Sequence, residues 1–189
     1  TVGIESHAQW DQLLHAPGEV RTGAGKPYTV YTPFWKNWTK QPKPVPLDSP
    51  KKLEGLSTEE EEKAIAYGVV PLPTAKDLGF EWDGELILPP GEQAARDVLS
   101  SFCSERGGIC TYDEQRNFPA TPGTSTLSSA LKFGTVGIRT VWQAVEDVLL
   151  TSRSDGTRTN IESWQKELAW REFYQHALYF FPELADGPY

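Results

Sequence analysis

The chain has 189 residues, enough for one domain with a substantial buried core. Its 26 Asp and Glu outnumber its 18 Lys and Arg, and the formal net charge is −8, whereas nucleic-acid-binding proteins usually carry a basic surface. Composition therefore gives no indication of DNA binding, and any such contact must come from a local patch.

The sequence also disfavours a disulfide-rich protein, a metal-binding protein and a membrane protein. Cys103 and Cys110 lack metal-ligand spacing and a disulfide-rich context, so we expect reduced thiols. A membrane helix would require a run of roughly 18 apolar residues, and the sequence contains none. We expect a cytoplasmic monomer with no membrane association and no metal site. The chain contains no methionine, so we also expect it to be an internal piece of a longer protein.

The first half of the chain shows little periodicity. Trp10, Leu13 and Leu14 predict a short helix within residues 1–15. Residues 16–90 contain eleven prolines, and an irregular segment of that length is normally functional or a linker. Its aromatic residues could form a ligand face, but anchoring of the loop to a core is favoured. They are Tyr28, Tyr31, Phe34, Trp35 and Trp38. The acidic run Glu59–Glu62 indicates solvated surface.

The second half predicts only helices. Apolar periodicity and breakers place them at Glu92–Ser104, Leu127–Phe133, Ile138–Leu150, and from Thr159 to just before Pro182. Thr159 and Glu162 form a plausible capping box for the last helix. A loop is predicted at Cys110–Gly123, and a polar turn at Arg153–Arg158.

Two features of this half could bind ligands. The hydroxyl-rich turn 124–128 could cap the next helix through Thr124 or Ser125, or could hold an anion such as a pyrophosphate. On the last helix, Glu167 and Arg171 share a face with Trp164, Leu168 and Gln175. They could simply pair at i, i+4. Among so many aromatic rings, they are also typical of a site for a flat, polar, unsaturated ligand. His7, His15 and His176 belong to no evident constellation.

Three segments carry a family resemblance. Residues 164–176, Trp-Gln-Lys-Glu-Leu-Ala-Trp-Arg-Glu-Phe-Tyr-Gln-His, closely resemble the helix that contacts flavin and lesion in the photolyase/cryptochrome family. Residues 116–134 and 31–38 resemble further motifs of that family in the same order. The likeness is greatest to class I cyclobutane pyrimidine dimer photolyases of cyanobacterial type.

The resemblance implies a mainly α fold. Residues 91–189 would be the N-terminal part of the all-helical FAD-binding domain. Residues 16–90 would be the long interdomain loop, and residues 1–15 the end of an α/β antenna domain. The parent protein would carry FAD and a second, antenna chromophore (a deazaflavin or a folate). The electron-relay tryptophans of the family would lie beyond residue 189.

The resemblance also implies roles for individual residues. Glu167 and Trp170 match the residues that receive the flipped-out dimer, and would be catalytic. Arg116 and Tyr174, together with that pair, would contact DNA. The matches to FAD-contacting positions are Tyr112, Thr124, Ser125, Thr126, Leu127, Ser128, Trp164 and Arg171.

The implied activity is light-dependent repair of pyrimidine dimers in damaged DNA by electron transfer from excited, reduced FAD. The alternative is a cryptochrome-like photoreceptor without repair activity. Glu167 together with Trp170 favours the repair enzyme. A further possibility is that the isolated chain is an incomplete helical module with no activity of its own.

Overall fold

The computed structural model describes residues 5–52, 55–68, 72–84, 86 and 89–187, which form two compact units. All regular structure within these ranges is helical, and none of these residues lies in a β-strand. The predicted mainly α fold is therefore confirmed. The outermost parts of the first and last predicted domains, 1–4 and 188–189, lie outside the described residues.

The larger unit comprises residues 1–46 and 88–189, and the smaller one residues 47–87. The helices of the larger unit are α1 (Tyr31–Trp38), α3 (Glu92–Phe102), α4 (Tyr112–Gln115), α5 (Ser128–Phe133), α6 (Ile138–Thr151) and α7 (Asp155–Phe180). The larger unit also has short 3₁₀ turns at Gly108–Cys110 and Pro182–Ala185. The smaller unit contains α2 (Thr58–Ala66).

Helix positions in the second half follow the apolar periodicity, but the predicted start of the last helix is wrong. Helix α7 begins at Asp155, because the Ser154 hydroxyl accepts a hydrogen bond from the Thr157 N–H. Thr159 is already inside the helix, where its hydroxyl bonds the Asp155 carbonyl instead of capping. The predicted turn at 153–158 is therefore largely helical.

The segment before α5 also differs from prediction. The expected loop 110–123 contains helix α4 and the end of a 3₁₀ turn. Leu127 is the N-cap of α5, and no side chain bonds its first turn. The prediction that Thr124 or Ser125 caps this helix is therefore wrong, and these hydroxyls stay outside it.

The N-terminal segment forms no helix between residues 5 and 15. Leu13 and Leu14 are nonetheless buried in the larger unit, with 3% and 4% of their surface exposed. The backbone N–H groups of Leu14 and His15 bond the carboxylate of Glu172 on α7. The predicted short helix is wrong because a distant side chain satisfies these donors.

The aromatic residues of the proline-rich segment are anchors, as predicted. Phe34 and Trp38 on α1 are almost fully buried, at 1% and 0% exposed. They join one core that includes Leu99, Val141 and Ile161 of α3, α6 and α7. Residues 16–46 therefore pack with the helical unit, and their assignment to an interdomain loop remains a prediction.

The smaller unit is polar along its helix. Ser57 and Glu60 form a reciprocal capping box at the start of α2. No residue of α2 is buried, and Glu59–Glu62 are exposed, as predicted for a solvated run. Burial of this helix therefore contributes little to stability.

Candidate functional site

Helix α7 organises the candidate site because its buried face fixes which side chains point away from the core. The buried residues are Asn160, Ile161, Trp164, Gln165, Leu168, Ala169, Glu172, Phe173 and His176. They come in adjacent pairs that repeat every four residues, so they all lie on one face of the helix. Glu167 and Tyr174 lie on the exposed side, and Trp170 and Arg171 at its margin.

Glu167 pairs with Arg116 across the chain. The Arg116 Nη1 lies 2.6 Å from Glu167 Oε1, and the guanidinium carbon lies 5.8 Å from the centre of the Tyr112 ring. Both side chains are more than a third exposed. Pairs this open contribute about 0–1 kcal/mol, so a phosphate could replace the carboxylate at little cost. Two residues predicted to contact DNA therefore lie together.

The simpler alternative, a Glu167–Arg171 ion pair, does not form in the structure. Arg171 donates from Nη1 to the Gln12 carbonyl (2.6 Å) and from Nη2 to the Leu131 carbonyl (3.2 Å). Its guanidinium is half-buried, and burial lowers its pKa. A half-buried guanidinium needs acceptors for its N–H groups, and these two carbonyls supply them. No carboxylate of the described residues forms an ion pair with Arg171.

Trp170 lies in an aromatic cluster at the surface of α7. The Tyr31 ring stacks on it, with centroids 3.5 Å apart and planes 9° from parallel. Tyr174 lies 5.6 Å away at 25°, and Phe173 meets it edge-on at 5.7 Å. Tyr174 is 60% exposed. The cluster offers aromatic surface beside the Arg116–Glu167 pair.

Tyr112 and Trp164 belong to the core. Both are buried and both pack against Phe102, at ring distances of 6.3 and 5.4 Å. Burial raises the pKa of Tyr112, with the Glu167 charge contributing in the same direction. The packing explains why the sequence places aromatics at both positions, and contact with a cofactor remains a prediction for them.

The turn 124–128 presents most of its polar side chains to solvent. Thr124, Thr126 and Ser128 are exposed, Ser125 is half-buried, and only Leu127 is buried. Among the residues that the structure describes, none offers a hydrogen-bond partner to the four hydroxyls. Thr126 has φ = 51°, a left-handed conformation that non-glycine residues rarely adopt and that clusters at ligand-binding turns. These features suit an anionic ligand.

This turn is held against helix α4 by a close approach at Gly123. A Cβ added there would lie 2.5 Å from Gln115 Cβ and 3.1 Å from the Gln115 carbonyl carbon. No rotamer change can relieve contact with backbone or Cβ atoms. The position therefore requires glycine, for lack of space and not for a special φ angle.

We expect Gly123→Ala to destabilise the protein by about 1–3 kcal/mol, because the turn must move away from α4. The free energy of unfolding in urea measures the effect. Gly134→Ala is the control: its φ of 70° imposes strain, but nothing lies within 4 Å of the added Cβ. Only Gly123→Ala should also shift the backbone NMR signals of Tyr112–Gln115.

The buried face of α7 carries a polar cluster that was not predicted from the sequence. Glu172, 2% exposed, accepts hydrogen bonds from Leu14 N (2.8 Å), His15 N (3.0 Å) and Trp38 Nε1 (2.8 Å). His176 Nε2 lies 3.0 Å from the His15 carbonyl. The i, i+4, i+8 relation to Trp164 and Leu168 was the available signal that Glu172 faces the core.

Contacts link the two predicted subsites through α5. Arg171 on α7 binds Leu131, which lies one turn after the hydroxyl-rich residues. Glu167, Trp170 and Tyr174 form the other group, on the exposed side of α7. Helix α7 thus carries a cation, a carboxylate and an aromatic surface. The exposed hydroxyl-rich turn is linked to it through the hydrogen bond between Arg171 and α5.

The described residues form neither a metal site nor a membrane-spanning helix. No group of three or more His, Cys, Asp or Glu side chains is arranged to hold a metal ion. None of the helices in the described ranges combines the length and the apolar character needed to cross a membrane.

Comparison with known proteins identifies relatives along the whole chain. Residues 1–51 match the family model described as DNA photolyase. The chain is 54% identical to a deoxyribodipyrimidine photo-lyase of Synechococcus sp. over all 189 residues, which is 39% of that protein. It is 40% identical over 176 residues to a deoxyribodipyrimidine photo-lyase of Halobacterium salinarum, covering 93% of the chain and 35% of that protein.

A solved structure gives the same relationship. The crystal structure of a bacterial class III photolyase from Agrobacterium tumefaciens superposes with a TM-score of 0.62 at 35% identity, over 92% of this chain and 34% of that one. The chain thus spans between about a third and two fifths of the length of these relatives.

Proposed function

The chain belongs to the DNA photolyase family, and from that premise we propose that it is part of a light-dependent enzyme that repairs cyclobutane pyrimidine dimers with FAD. The observation that carries the proposal is the arrangement on the exposed side of α7. Arg116, Glu167 and the Trp170 ring lie together at the surface of an otherwise acidic chain. A phosphate, a base edge and an unstacked base require a cation, a hydrogen-bonding group and an aromatic face, respectively.

The residues present fit FAD. The hydroxyls of Thr124, Thr126 and Ser128 are exposed and unbonded among the described residues, and suit the phosphate-bearing part of the cofactor. Arg171 carries a half-buried positive charge that forms no ion pair within the described ranges, which suits an anionic flavin. In its fully reduced form, bound FAD supplies a photoexcited electron donor.

The side chains of this chain would bind and orient the substrate. Arg116 would exchange Glu167 for a DNA phosphate, since its present ion pair is solvent-exposed. Glu167, once released, could accept hydrogen bonds from the base edges of the dimer. Trp170 would replace the stacking that the dimer loses when it leaves the duplex, and Tyr174 would extend that surface.

The assignments of Tyr112, Ser125, Leu127 and Trp164 to the cofactor site are also proposals. Leu127 and Trp164 are buried, so they would shape the pocket by packing. We further propose the domain boundaries at residues 15 and 90, an antenna chromophore (deazaflavin or folate) in the complete protein, and a monomeric, cytoplasmic enzyme.

An absorption spectrum of the complete protein, followed by blue-light illumination with a dimer-containing oligonucleotide, tests the proposal. We expect flavin absorbance and loss of the dimer only under light. Flavin absorbance without repair, in folded and reduced protein, would identify a photoreceptor of the cryptochrome kind instead. Absence of flavin would contradict both functions.

A further inference from the structure

We propose that Tyr31, on helix α1, is a positioning residue for Trp170, and that it thereby sets how tightly the damaged bases are held. The inference rests on the function proposed above for Trp170. It adds a residue from the proline-rich first half of the chain, where the sequence indicates only anchoring. Tyr31 does not itself touch the substrate in this proposal.

The geometry between the two rings is that of a direct stack. The centroids are 3.5 Å apart and the planes differ by 9°, so Tyr31 covers most of one indole face. Phe173 meets both rings edge-on, at 5.9 Å from Tyr31 and 5.7 Å from Trp170. The indole is therefore fixed in plane and in rotation.

The Tyr31 ring is itself fixed in place. Its hydroxyl donates a hydrogen bond to the Lys166 carbonyl of α7 (2.8 Å). Burial, with the Glu167 charge nearby, raises the pKa of Tyr31, so the hydroxyl remains a donor at physiological pH. Helix α1 is anchored beneath by Phe34 and Trp38, which are fully enclosed in the core. The stack thus connects Trp170 to a rigid element.

Trp170 needs such support because of its place on α7. It lies at the margin of the buried face, where an indole without Tyr31 could sample several rotamers. A base that stacks on a mobile ring must first immobilise it, which lowers its affinity by about two- to twelvefold. A ring already held by Tyr31 avoids that cost.

Three substitutions in the complete protein separate positioning from anchoring. Tyr31→Leu removes the stack, and Tyr31→Phe keeps the stack but loses the bond to Lys166. Tyr28→Leu is the matched control, because Tyr28 is also a half-buried tyrosine, packed on Phe34 at 6.0 Å, and has no contact with Trp170. Equilibrium dissociation constants are measured for one oligonucleotide with and without a thymine dimer.

We expect Tyr31→Leu to weaken dimer binding by up to about tenfold, because the base must then immobilise the indole itself. Binding of the undamaged oligonucleotide should not change. Tyr31→Phe should stay within about threefold of the native protein, and Tyr28→Leu should change neither constant. The near-ultraviolet circular dichroism of the stacked rings should be lost only in Tyr31→Leu.

Other results would overturn the inference or the function beneath it. Unchanged dimer affinity in Tyr31→Leu, with a loss in Trp170→Ala, would show that Tyr31 only anchors its loop while the proposed function stands. Equal weakening for damaged and undamaged DNA would indicate a general loss of structure. Unchanged affinity in Trp170→Ala would remove the proposed function itself. If Tyr31→Leu does not fold, Tyr31→Met gives the same comparison with more apolar volume retained.

Discussion

Replacing Glu172 with alanine should lower the free energy of unfolding by about 3–5 kcal/mol, because three buried N–H donors lose their acceptor. Two of these are backbone groups of Leu14 and His15, and the third is the Trp38 indole. Urea unfolding of the complete protein, followed by tryptophan fluorescence, measures the loss. Glu162→Ala is the matched control on the same helix: Glu162 is exposed and pairs with Lys166 at 2.8 Å. That change should cost less than about 1 kcal/mol.

The same carboxyl should make stability depend on pH. Burial raises the pKa of Glu172 to about 7, although its three N–H partners and Lys43 oppose this. An acid with a raised pKa stabilises the fold fully below its unfolded value of 4.5, and this contribution is lost as pH rises through about 7. The difference amounts to about 3 kcal/mol.

His15 and His176 act in the opposite direction. Burial lowers the pKa of His15 to about 4 and also lowers that of His176, so their contribution is present above pH 6.5 and is lost as pH falls. In the native protein these slopes oppose the slope of Glu172 between about pH 4.5 and 6.5. In Glu172→Gln only the histidine slope remains, so stability should fall on acidification and stay flat from pH 6.5 to 7.5. A parallel pH profile in the two proteins would contradict this assignment.

Local sequence signals predicted the helices well. Apolar periodicity located α3 and α6 to within two residues at either end, because each buries one regular stripe. The resemblance and the aromatic content of the last helix also predicted Glu167 and Trp170 as site residues. The start of α7 was predicted wrongly, because Ser154 caps the helix one turn before the capping box expected at Thr159.

Long-range contacts account for the pairings that local spacing did not indicate. Glu172 was not recognised as buried because its partners, Leu14 and His15, lie more than 150 residues away in sequence. Likewise, Arg116 is 51 residues from Glu167, whereas Arg171 is at the favourable spacing of four. Spacing along a helix indicates which side chains can meet, but the tertiary fold decides which partner is nearer.

Trp170→Ala should remove most of the preference for damaged DNA. Stacking of one base on an aromatic side chain contributes about 1–3 kcal/mol, so the affinity for a dimer should fall by about 5- to 150-fold while that for undamaged DNA stays the same. Trp10→Ala is the matched control, because Trp10 is also a surface tryptophan of the larger unit, 54% exposed, and contacts Tyr179 instead.

Arg116→Gln should behave differently, and this contrast separates the two halves of the proposed interface. A phosphate contact carries no sequence information, so binding should weaken equally for damaged and undamaged DNA, and the salt dependence should become shallower by about one ion. Because Arg116 also holds Glu167, the variant releases that carboxylate, and Glu167→Gln should add little to its effect on undamaged DNA. If Arg116→Gln instead removed only dimer affinity, Arg116 would act on the lesion through Glu167 and not on the DNA backbone. Titrations of both oligonucleotides at several salt concentrations distinguish these outcomes.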